Sequence, residues 1–160
     1  MKRGSTLFLK ITVILMGIPI LALCIFVVPA IAKFAGELYP DMAAIKYIVV
    51  IGMYAASLFF YLALYQALRL LSFIDRNEAF SELSVGSLKV IRNCAIVIGS
   101  LFVFNLPLII HMAHVDDAPG LAAIGMVIIF ASFVIAVFAA VLQKLVRNAI
   151  DIKSENELTV

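Results

Sequence analysis

Residues 121–142 read LAAIGMVIIFASFVIAVFAAVL, 22 consecutive positions without an aspartate, glutamate, lysine or arginine. A helix rising about 1.5 Å per residue needs about 20 apolar residues to cross a hydrocarbon core of roughly 30 Å. The stretch therefore reads as a membrane-spanning helix. Three more runs of the same kind precede it, which puts four spans at about 11–32, 47–68, 94–114 and 121–142. None shows the period-two alternation of a membrane β-barrel strand. The composition agrees: of 160 residues, 65% are hydrophobic and 14% charged, against about half and about a quarter in soluble domains. The expected fold class is all-α, an integral membrane four-helix bundle built as a single domain over residues 1–160.

Lysine and arginine accumulate on the cytoplasmic side of membrane proteins. Here Lys2, Arg3 and Lys10 precede the first span, and Arg69, Arg76, Lys89 and Arg92 separate the second from the third. Lys144, Arg147 and Lys153 follow the fourth, whereas only Lys33 and Lys46 fall on the other side. This bias predicts that both termini, the connector at about 69–92 and the tail 153–160 are cytoplasmic, in a multi-pass protein of the cytoplasmic (inner) membrane. The net charge of +2 is then a topology signal, and no direct nucleic-acid contact is expected. Lys2-Arg3 ahead of an apolar run also has the layout of a signal peptide, with Ala30-Ile31-Ala32 as a cleavage-like site. The run is longer than a usual signal core, so it reads as a retained span. Cys24 follows Leu23, too large for a lipoprotein acylation site, and Cys24 and Cys94 lack CxxC spacing. Both read as small buried hydrophobes.

Within the spans, Pro19 predicts a kink in the first helix and Pro29 marks its exit. Tyr39-Pro40-Asp41 reads as a turn. Tyr47, Tyr54, Tyr61 and Tyr65 project from one face of the second helix at spacings of seven and four. Tyr54 and Tyr61 lie deep, where a phenol needs a hydrogen-bond partner, and bonding to a neighbouring helix is expected. Gly52 and Ala56 permit close helix contact, and Ser132, Ala136 and Ala140 repeat every four residues as a second seam. Asn105 in the third span is expected to bond a tyrosine of the second helix or the carbonyl freed by Pro107. With Tyr54 and Tyr61 it forms the intramembrane polar set.

The connector runs Arg69-Leu70-Leu71-Ser72-Phe73-Ile74-Asp75-Arg76-Asn77-Glu78-Ala79-Phe80-Ser81 before the next helical pattern begins. The second helix is expected to reach about Asp75, Asn77 to break it, and Ser81 to cap the next with Glu82 in its first turn. Val85, Leu88, Ile91 and Ala95 recur at helical spacing opposite Lys89 and Arg92, which predicts a short helix lying on or entering the membrane and leading into the third span. Phe73, Phe80, Ser81, Lys89 and Arg92 are the candidate partner-binding residues, because apolar groups in a polar connector mark contact surfaces. Phe80-Ser81 opening a basic helix into the third span, and the closing Glu157-Leu158-Thr159-Val160, frame four spans in 160 residues. In these features the chain resembles the uncharacterised bacterial membrane family known as domain of unknown function twenty-nine seventy-five. Asn77, Glu78 and Ala79 stand where members of that family usually carry a glycine and a proline. The resemblance implies a small cytosolic helix-turn-helix DNA-binding protein as partner. The tail 153–160 reads as mobile beyond a helix ending near Ile152.

At the external end His111 and His114 share a helix face, with Asp116 and Asp117 following. Imidazoles and carboxylates in that order could hold zinc or another divalent ion, or sense external pH. The third-ligand spacing is missing, so no metal and no cofactor is assigned. No Ser–His–acid set, HExxH, phosphate loop or redox cysteine pair is present, and an enzyme is not expected. The leading reading is therefore protein–protein contact through the cytoplasmic connector. An oligomeric small-molecule transporter, channel or immunity factor is the second reading, and an external metal or pH sensor the third. The small-residue seams fit a monomer and a homo-oligomer equally.

Overall fold

The computed structural model describes residues 3–159, nearly all of them helical. Helix α1 (Arg3–Ala22) passes into a five-residue π-helical turn (Leu23–Val27) and on into α2 (Val28–Leu38). Then come α3 (Ala43–Asp75), α4 (Glu82–Val115) and α5 (Pro119–Thr159). Taking α1, the π turn and α2 as one rod, four helices are long and apolar enough to cross a membrane.

Pro19 lies inside a continuous α1, and the break in the hydrogen-bond pattern falls just ahead of Pro29, in the first turn of α2. Pro29 does not end the helix, which runs on through α2 to Leu38. The π turn has a polar consequence. The Val28 amide donates to Leu23 O, five residues back, and Pro29 has no amide to offer. The Cys24 carbonyl is thus left without a backbone donor at a depth where water cannot serve. Tyr54 supplies the donor, its hydroxyl 3.2 Å from Cys24 O. Two turns along α3, the Tyr61 hydroxyl donates to Gly17 O at 2.8 Å. Between them the Cys24 thiol donates to Ser57 Oγ at 3.1 Å, and Ser57 donates to Met53 O. The two deep tyrosines do bond a neighbouring helix, as their depth requires, while Tyr47 and Tyr65 stay exposed.

Packing follows chain order: the rod lies on α3, α3 on α4, and α4 on α5. Lipid gives helices little hydrophobic reason to associate, so close contact at small residues has to hold them. A Cβ on Gly52 would stand 2.6 Å from Asn105 Nδ2, so any larger residue there would have to displace that side chain. Gly99 receives the Phe133 ring, whose nearest atom would lie 3.0 Å from an added Cβ. On α5 the buried seam runs through Ser132, Ala136 and Ala139, the last in place of Ala140, which is half-buried. Helical spacing averages 3.6 residues, so a strict step of four drifts off the contact. The outward faces are apolar, with Leu58, Phe104 and Phe130 more than 70% exposed. In water such a surface would aggregate; in a bilayer it meets lipid.

Two helix ends are built alike. At the end of α3, Glu78 N–H bonds Phe73 O and Asn77 N–H bonds Ile74 O, with Asn77 at φ 60°. At the end of α4, Ala118 N–H bonds Ala113 O and Asp117 N–H bonds His114 O, with Asp117 at φ 50°. Both are Schellman closures, whose left-handed residue is usually glycine or asparagine. Asn77 breaks its helix as expected. Asp117 does the same work at its helix end. At the third turn, Met42 N–H bonds Tyr39 O across Pro40 and Asp41.

The helices are antiparallel, so one end of the molecule carries the start of the rod, the 76–81 turn and the end of α5. The Lys10 ammonium and Asp75 carboxylate, 2.9 Å apart, tie the rod to α3 there. At this end α4 and α5 outrun their apolar stretches. Residues 82–93 add about 18 Å and residues 143–159 about 25 Å at 1.5 Å per residue. The expected connector helix leads into the third span as the first part of a continuous α4, and the expected mobile tail is helical through Thr159. Buried Ser84, Val85, Ser87 and Leu88 give α4 an inner face well before its apolar run begins.

Candidate functional site

By sequence, the end carrying both termini holds ten of the twelve lysines and arginines and six of the ten carboxylates. Its formal charge is +4 and that of the opposite end −2. The protruding α4–α5 pair on the basic end is the structured polar surface of the molecule, and the 76–81 turn shapes it. Ser81 occupies the N-cap position of α4 with extended backbone, but its side chain makes no capping bond. Its hydroxyl donates to Glu78 O at 2.6 Å, and the Ser84 hydroxyl donates to the same carbonyl at 3.1 Å. The hydroxyls close the turn, while Ser81 O accepts the first helical amide, from Val85.

The candidate partner residues separate into two groups. Phe73, expected as an exposed apolar anchor, is 3% exposed. Arg69 and Arg76, one turn to either side, each hold a guanidinium carbon 5.5 Å from its ring centroid, a cation–π arrangement. Phe73 therefore anchors the base of the turn. Arg92 is turned toward α5, where its Nη1 donates to Gln143 Oε1 at 3.2 Å. Its Nε and Nη2 both donate to Asn93 Oδ1. By contrast Phe80 is 64% exposed, and Lys89 is exposed on the outer face of α4. Leu83 and Gly86 are exposed on α4 as well, and Phe80 lies in the turn just ahead of it, so Phe80, Leu83 and Lys89 are all exposed within the 80–89 stripe of sequence. Beside it a cleft of about 250 Å³ is lined by Ile74, Asn77, Ala79, Phe80 and Lys153. An ion pair between Arg147 and Glu82 holds α5 against the start of α4.

Leu83 escaped the sequence reading because it falls between the two helical faces weighed there. The signal that could have found it is an apolar residue in the polar first turn of α4, directly after Glu82. Gln66 was also missed. It is 8% exposed inside the second span, and its Oε1 has no protein partner. A search of the spans for amides as well as charges finds it.

Asn105 is 9% exposed and bonds neither a tyrosine nor the carbonyl freed by Pro107. Its Nδ2 donates to Leu101 O, one turn back on its own helix, at 2.9 Å, while Oδ1 has no protein partner. The reason is Gly52: the side chain folds down into the space that glycine leaves. At the opposite end, His111 packs on Tyr39 with ring centroids 5.6 Å apart, and His114, Asp116 and Asp117 are exposed. Among the described residues no three His, Cys, Asp or Glu side chains are grouped to hold a metal ion. Cys24 and Cys94 are free.

Residues 30–160 match the family described as protein of unknown function (DUF2975). The chain is also 60% identical, over the full length of both, to an uncharacterized membrane protein, YoaS, of Bacillus subtilis strain 168. No solved structure matches it. With four membrane-length apolar helices and a family match over most of its length, the chain belongs to the DUF2975 family of membrane proteins.

Proposed function

We propose that this is a non-catalytic protein of the cytoplasmic membrane that works by protein–protein contact at its basic end, with both termini in the cytoplasm. The observation that carries the reading is the α4–α5 protrusion. A protein that only filled lipid would not need about 18 Å of paired helix beyond its apolar runs. Leu83 and Lys89 are exposed on it and Phe80 in the turn that leads into it, all outside the apolar runs. Apolar groups with a neighbouring cation are the composition of a contact patch. The charge bias supports the cytoplasmic orientation. The partner class follows from the family resemblance: a small helix-turn-helix DNA-binding regulator, held at the membrane or released from it.

The test is co-purification of the tagged full-length protein with that regulator from native membranes in mild detergent. Phe80→Asp with Lys89→Glu is expected to abolish recovery of the regulator, with the variant's own yield and elution volume unchanged. Unchanged recovery would refute docking on this face.

A further inference from the structure

A second cleft, of about 220 Å³, lies between α4 and α5 and is lined by Arg92, Ala140, Gln143, Lys144 and Arg147. Its depth in the membrane can be read from two helices independently. The apolar run of α4 begins at Cys94 and that of α5 ends at Leu142. At 1.5 Å per residue, Arg92 and Lys144 stand about 3 Å, and Arg147 about 7.5 Å, outside the hydrocarbon. The headgroup layer on each side is about 5–8 Å thick, so all three cations fall within it.

Their partners leave two of the three cations, Arg92 and Lys144, without a carboxylate among the described residues. Arg92 is held by two amide oxygens, those of Gln143 and Asn93, both neutral. Lys144 has no carboxylate within ion-pair range among the described residues, and the carboxylate that reaches Arg147 is that of Glu82. A guanidinium fixed by neutral acceptors keeps its full charge and its flat, multi-donor geometry, the combination that suits phosphate oxygens. Lys144 adds a point charge on the same cleft. A volume of 220 Å³ equals on the order of seven waters, enough for a phosphate group and part of what it is esterified to. Basic clefts between spans at this depth are suited to acidic lipid headgroups.

We infer that the Arg92–Lys144–Arg147 cleft binds a phosphate-bearing anion, supplied by the headgroup of an acidic phospholipid in the same leaflet. The site is independent of the protein partner taken by the Phe80–Lys89 stripe, and it operates whichever way the protein is oriented.

The experiment is thermal unfolding of the delipidated full-length protein in a neutral detergent, with three additives compared at low salt: phosphatidylglycerol, phosphatidylcholine and inorganic phosphate. Phosphatidylglycerol is expected to raise the midpoint by several degrees, and 0.5 M salt to remove most of the rise. Phosphatidylcholine should leave the midpoint where it was. Arg92→Gln with Lys144→Gln should weaken the phosphatidylglycerol response at least tenfold in the concentration needed, while Lys89→Gln, outside the cleft, leaves it intact. Should the double variant fold poorly, Lys144→Gln alone, at an exposed position, carries the test with a smaller loss. Equal responses to the two lipids, or an undiminished response in the cleft variants, would overturn the inference. An equal response to inorganic phosphate would overturn the lipid source and assign the cleft to a free phosphate.

Discussion

The two ends of this molecule solve the same problem, turning a helix back into the membrane, with different amounts of structure. At the acidic end the turns are minimal: Tyr39–Met42 closes with one hydrogen bond across Pro40, and α4 passes to α5 through Asp116, Asp117 and Ala118. At the basic end the 76–81 turn is stapled by two serine hydroxyls on one carbonyl. It stands on a buried phenylalanine flanked by two arginines and is extended by the paired overhang of α4 and α5. Both ends use a Schellman closure and both carry exposed apolar groups near a cation, Met42 and Tyr47 with Lys46 at the acidic end, yet only the basic end adds a long helical overhang, of α4 and α5, beyond the apolar runs. Elaboration beyond what chain reversal needs is where a membrane protein of this size has room for function.

The sharpest way to break that contrast is at Phe73. Phe73→Ala should cost about 3–5 kcal/mol through the lost buried ring, and with it the cation–π contacts of Arg69 and Arg76. Tyr39→Ala at the other end, whose ring has His111 as its partner, should cost less than half as much. Thermal unfolding of the two variants in one detergent checks the ordering. Similar losses would mean that the ends are equally structural.

A middle-sized effect lies in the membrane between them. Gly52→Ala puts a methyl group into the Asn105 amide, and overpacking of this kind costs about 1–3 kcal/mol. Gly52→Ala combined with Asn105→Ala should recover most of that loss, because the clash needs both side chains. Failure of the pair to rescue would show that the glycine serves something other than the asparagine.

The spans, their number and the antiparallel order were legible in the sequence because lipid imposes a length and excludes charge, and both can be read one residue at a time. Helix breaks were legible at Asn77 for the same local reason, since few side chains tolerate a positive φ. Asp117 was weighed as a ligand because a carboxylate near two histidines has a chemical meaning that its backbone angle does not announce. What failed to show was anything set by packing between helices. Phe73 looked like an exposed anchor because its connector is polar, and the helix burying it could not be seen. Asn105 looked short of a partner until Gly52, 53 positions away, proved to set its rotamer. Arg92 stands in the same helical pattern as Lys89, and only the position of Gln143 on α5 separates their roles.

Smaller effects sharpen the comparison without breaking it. Asn77→Ala should cost about 1–2 kcal/mol for a left-handed residue with a Cβ and no compensating side chain, and Asn77→Gly should be neutral or slightly stabilising. The same pair at Asp117 should behave alike, since the closure is the same. The exposed Arg147–Glu82 pair should contribute least, below about 1 kcal/mol, so Glu82→Gln should barely move the unfolding midpoint. For orientation, Ser154→Cys should label with an impermeant maleimide only after the cells are opened, and Asp116→Cys should label in intact cells.

The most direct test of the central claim compares the two ends in one experiment. A photo-crosslinking residue is placed at Leu83 on the protruding stripe or at Val115 on the opposite end, both about half exposed, in the full-length protein in its native membrane. The account predicts a discrete adduct, of the mass of one small regulator, from position 83 and none from position 115, with the adduct lost when Phe80→Asp is added. Adducts of equal yield from both positions, or from position 115 alone, would contradict it.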